Sequence, residues 1–60
     1  MYRLTWISDN YKKLRVRGSL EAVKIVWQAL EIANKDTLAP IAENFMLEDS
    51  WGKVCTELLA

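Results

Sequence analysis

Sixty residues with zero formal net charge, one cysteine and no histidine make one domain at most. They exclude an internal disulfide, a structural zinc site and the usual histidine base of a catalytic triad. Two glycines leave no phosphate-cradling loop, and no apolar run approaches the roughly 20 residues that span a bilayer.

A chain this short buries only about 60% of its unfolded surface, so small domains lean on disulfides, metals or oligomerisation. With the first two removed, association is the remaining aid. The 52% hydrophobic content and three Trp fit a dense core or one shared between subunits. The charge is unevenly placed. Residues 1–17 hold five basic side chains and one acid, and residues 18–60 hold three basic side chains and seven acids, a basic segment followed by an acidic one.

Tyr2 to Ile7 alternates, with Tyr2, Leu4 and Trp6 on one face and Arg3, Thr5 and Ile7 on the other. Tyr11 to Arg17 alternates likewise, Lys12, Leu14 and Val16 against Lys13, Arg15 and Arg17. Both spacings predict half-buried strands, about 2–7 and 11–17. A three-residue turn at Ser8-Asp9-Asn10 sets Leu4 opposite Leu14, Tyr2 opposite Val16 and Arg3 opposite Arg15, with Asn10 at the position of positive φ. The apolar face of this two-stranded hairpin packs on a helix. The other face gathers cations.

The long helix is expected over about 20–34. Ser19 is its N-cap and Glu21 and Lys35 complement its dipole. Asn34 can take the left-handed C-terminal conformation. Glu21, Lys24, Gln28, Glu31 and Lys35 form one polar stripe, and nearly every other position is apolar. So wide an apolar sector needs cover on more than one side, from the C-terminal third or from a second copy of the chain.

Lys35 to Pro40 is a connection. Ile41, Ala42, Phe45 and Met46 suit a short helix over 40–47, while Asn44 to Glu48 also fits a third, edge strand; the helix is the expectation. Asp49 or Ser50 then caps a terminal helix over 51–59, whose Trp51, Val54, Cys55, Leu58 and Leu59 follow helical spacing. The fold class is therefore α+β, in the order β-β-α-(α)-α.

Cys55 among apolar neighbours reads as a buried structural thiol. Glu43, Glu48 and Asp49 lack the six to eight oxygens of a calcium site and read as acids at a helix start. No enzyme, cofactor or metal is expected. Two surfaces remain. Arg3, Lys13, Arg15 and Arg17, with Tyr11 beside them, form a basic hairpin face that fits an anionic partner; on an edge strand the same cations also block aggregation. Ile25, Trp27, Ile32 and Trp51 form an apolar surface of the kind enriched at protein interfaces. The expected function is a small, non-catalytic, regulatory or accessory binding module, acting on a protein partner or as a homodimer. Nucleic-acid binding through the hairpin is the alternative. A lone cysteine and the lack of a signal peptide fit a reducing cytoplasm.

Overall fold

The computed structural model describes all 60 residues. Its elements are β1 (Tyr2–Ser8), β2 (Lys13–Gly18), α1 (Leu20–Lys35), β3 (Ala42–Glu48) and a terminal 3₁₀ helix, Thr56–Leu59. The sheet has three antiparallel strands in the order β2-β1-β3. Strands β2 and β3 thus run the same way on either side of β1, and α1 joins them across one face of the sheet.

The hairpin keeps the expected faces and changes its register. Leu4 pairs with Val16, Trp6 with Leu14 and Arg3 with Arg17, a shift of two residues from the expected Leu4–Leu14 and Arg3–Arg15 pairs. The turn lies one residue later than expected. Ser8 N–H donates to the Lys12 carbonyl at 2.9 Å and Tyr11 N–H to the Ser8 carbonyl at 2.9 Å, enclosing Asp9-Asn10-Tyr11. The left-handed position is held by Tyr11 (φ 61), not by Asn10. A two-residue slip preserves every side chain's face, so the alternation could not distinguish the two registers.

α1 forms as expected at its start, where Ser19 Oγ accepts a hydrogen bond from the Ala22 amide at 3.2 Å. Its end differs. Asn34 stays helical, the C-cap is Asp36 in the right-handed region, and the Asn34 side chain is used elsewhere. Its Oδ1 accepts from the backbone N–H groups of Ile41 (2.9 Å) and Ala42 (3.1 Å), and its Nδ2 donates to the Ala42 carbonyl (2.7 Å). One side chain therefore fastens the end of the helix to the start of β3.

β3 replaces the short helix expected at 40–47. Leu47 pairs with Leu4 and Met46 with Thr5, then the register shifts, and Glu43 pairs with Ile7 and Ala42 with Ser8. The shift inserts one extra residue opposite Trp6, at Asn44-Phe45, and Asn44 takes φ 58. It is a β-bulge with its left-handed residue supplied by Asn. The bulge breaks a period of two into spacings of three and four, and so imitates a helix in the sequence.

The helix expected at 51–59 is also absent. Asp49 Oδ1 accepts from the amides of Trp51 (2.9 Å) and Lys53 (3.0 Å), and Gly52 takes φ +80. Asp49, expected with Ser50 as a candidate cap for that helix, instead closes a tight turn. The chain then folds back along the outer edge of β3, where Val54 bridges Glu48 and Cys55 N–H donates to the Leu47 carbonyl at 2.8 Å. Only the last turn, Thr56–Leu59, is helical.

These returns close the core. Leu4, Val23, Leu47, Cys55 and Leu59 are buried together, with Tyr2, Trp6, Val16, Leu20, Val26, Trp27 and Phe45 packed against them. The C-terminal segment thus brings Leu59 into the same core as Val23 of α1, while Ile25 and Ile32 of the helix's wide apolar sector stay exposed.

Two substitutions test this architecture by urea denaturation. Leu47→Ala removes a fully buried side chain and is expected to lose about 2–5 kcal/mol, enough to unfold much of a domain this small. Asn34→Ala strands the Ile41 and Ala42 amides and is expected to lose about 1–3 kcal/mol. Wild-type stability in Asn34→Ala would show that the clamp holds nothing.

Candidate anionic-partner interface

One helix covers one face of the sheet, so the other is open. Register sets three rows of side chains across it: Arg17–Arg3–Glu48, Arg15–Thr5–Met46 and Lys13–Ile7–Glu43. The basic residues singled out from the sequence, Arg3, Lys13, Arg15 and Arg17, all fall on this face. The slip in register does not disturb that, because it preserves parity.

The charges sort by strand. Arg3, on the central strand, has the cation Arg17 on one side and Glu48 on the other, and its Nη2 donates to Glu48 Oε1 at 2.9 Å. That ion pair relieves a like-charge neighbour and takes Arg3 partly out of play. Lys13, Arg15 and Arg17 are exposed on the edge strand β2, and none of them forms an ion pair. Free positive charge therefore runs along one edge of the face, with Glu43 and Glu48 on the other side. A groove of about 310 Å³ lies between them, lined by Arg3, Thr5, Lys13, Arg15, Met46 and Glu48. Thr5 is buried beneath these longer side chains.

Tyr11 stands at the hairpin tip next to Lys12 and Lys13. It is 87% exposed, although an L-residue in the left-handed region is strained by about 1–2 kcal/mol. Neither packing nor backbone preference explains a tyrosine there, and positions that break a local rule are where function is sought. Glu43 and Glu48, expected from the sequence as acids at a helix start, instead lie in β3 on this face, because their place depends on the bulged strand.

The apolar group is divided. Ile25 and Ile32 lie exposed on the outer side of α1, at 67% and 60%. Trp27 turns inward against the core. Trp51 is 90% exposed at the tip of the Asp49–Lys53 turn, on a different element.

No three acids or thiols gather where they could hold a metal ion, and no helix is long and apolar enough to cross a membrane. Burial, reinforced by the Asp49 and Glu57 carboxylates, pushes the Cys55 thiol above its ordinary value. A raised thiol favours the neutral form in the folded state. Its contribution to stability is thus complete below the ordinary thiol value of 9.0 and is lost as pH climbs through the higher folded value. At pH 8 a thiol reagent should modify native Cys55 at least ~10-fold more slowly than the urea-unfolded chain; equal rates would contradict its burial. Comparison with protein-family models, curated proteins and solved structures found no match to this chain.

Proposed function

We propose that the chain is a small, non-catalytic binding module that occupies a surface on another macromolecule through the open face of its sheet. The observation that carries this reading is the row Lys13, Arg15, Arg17 along β2, exposed and without ion-pair partners, beside a groove floored by Thr5. Such a row fits an extended polyanion. Cations spaced two residues apart along a strand recur about every 6.7 Å, and each neutralised anionic group of the ligand releases counterions.

A second, narrower reading is nucleic acid, and Tyr11 favours it. An exposed aromatic ring at the end of a basic strand is the pairing that single-stranded nucleic acids use, bases stacking on the ring while cations track the phosphates.

Fluorescence anisotropy with a labelled single-stranded oligonucleotide and with labelled poly-glutamate, at low and rising salt, separates these readings. Binding to both is expected for a general polyanion face, and Arg15→Ala/Arg17→Ala should flatten the logarithmic salt dependence of oligonucleotide binding by about 1.4, roughly 0.7 for each cation lost. For the nucleic-acid reading, Tyr11→Asn, which suits the left-handed turn, should weaken oligonucleotide binding about tenfold and leave poly-glutamate binding unchanged. If neither probe binds at low salt, the open face is not an anion-binding surface.

A further inference from the structure

We propose that the outer face of α1 is the contact surface for a second copy of this chain, with the two helices paired antiparallel about a two-fold axis at their centre. The proposal does not depend on what the sheet binds.

The outer face carries Ala22, Ile25, Ala29 and Ile32, spaced three, four and three residues apart and all exposed. That is the spacing of a coiled-coil seam, here alternating small and large. Ile25 and Ile32 keep well over half of their surface in water; α1 meets the core through Val23, Val26 and Trp27, and of the C-terminal end only Ala60 comes beside Ile32, across a shallow cleft. Along one border of the seam stand Glu21, Gln28 and Lys35, seven residues apart and each exposed. In a heptad these are the flanking positions that choose partner and orientation.

That border selects a second copy and its direction. Antiparallel pairing sets Ala22 against the partner's Ile32 and Ile25 against the partner's Ala29, so each large side chain meets a small one. The same operation places Glu21 across from the partner's Lys35, and Lys35 across from the partner's Glu21. Gln28 meets its own copy at the axis, where two amides can bond each other. A parallel pair would stack Ile25 on Ile25 and align the helix dipoles unfavourably. It would also set Glu21 and Gln28 beside the apolar Val26 and Ala33 of the other helix. The self-complementary charges exist in only one orientation.

Lys35 already pairs with Glu31 within the helix at 3.1 Å, but its side chain is 72% exposed, and an exposed lysine can serve two carboxylates. The resulting particle is layered sheet–helix–helix–sheet, with both open sheet faces outward.

Sedimentation equilibrium up to about 200 μM tests the pairing, with circular dichroism to confirm that each variant is folded; a micromolar dimer is expected. Ile32→Lys should abolish it. Glu21→Lys and Lys35→Glu should each weaken it about tenfold, and Glu21→Lys/Lys35→Glu should restore it. Arg15→Ala/Arg17→Ala should dimerise as the wild type does, whatever its effect on the sheet. A wild-type monomer at the highest concentration overturns the proposal. So does a dimer indifferent to Ile32→Lys, a double charge reversal without rescue, or loss of the dimer in Arg15→Ala/Arg17→Ala.

Discussion

The attachment of β3 to the end of α1 governs the rest of the molecule. A hairpin and a helix alone would leave Leu4 with a neighbour on one side only. By binding the backbone of Ile41 and Ala42 through one amide side chain, Asn34 starts β3 in place at the end of the sheet that the helix has just reached. From there the bulge at Asn44-Phe45 realigns the strand, and Leu47 arrives opposite Leu4. The returning segment, tied by Cys55 to the Leu47 carbonyl, then brings Leu59 into the same core. A neutral amide suits this task because it supplies donor and acceptor together without burying a charge.

Placing β3 on the far side of β1 also decides the electrostatics. It sets Glu48 against Arg3 and Glu43 in the row of Lys13. A face that would be wholly basic on an isolated hairpin becomes polarised, with positive charge concentrated on the edge strand. A ligand that runs along the edge meets Lys13, Arg15 and Arg17, and one that crosses the sheet meets acids. The same three cations discourage pairing of β2 with the edge of another sheet.

The parts of the fold legible in the sequence were those encoded by a single period. Alternation assigned the faces of β1 and β2, and the Ser19 cap with its polar stripe assigned α1. The four cations of the candidate interface were legible for the same reason, since their shared face comes from parity. What escaped was whatever depends on one residue breaking a period. Asn44 turned a strand into apparent helical spacing. Tyr11 took a left-handed position that residue preference gives to Asn10, which moved the turn and slid the pairing by two. Asp49 was recognisable as a cap, but the residues after a cap determine whether it begins a helix or closes a turn, and here Gly52 and the edge of β3 decided it. Asn34 illustrates a subtler limit, because an amide near a helix end is commonplace until the strand it binds is in view.

The order of pairing has a kinetic consequence. β1 is central, yet its two partners differ greatly in sequence distance: β2 is reached through a three-residue turn, while the Arg3–Glu48 link joins residues 45 apart. Loop closure favours the hairpin first. During folding the central strand therefore passes through a stage in which one of its edges is open, and it is the edge beside Leu4, which is fully buried in the finished core. Crowded nascent or refolding chains have that edge to exchange. The speed with which β3 docks, more than the final stability, sets how long such a chain stays open to misassembly.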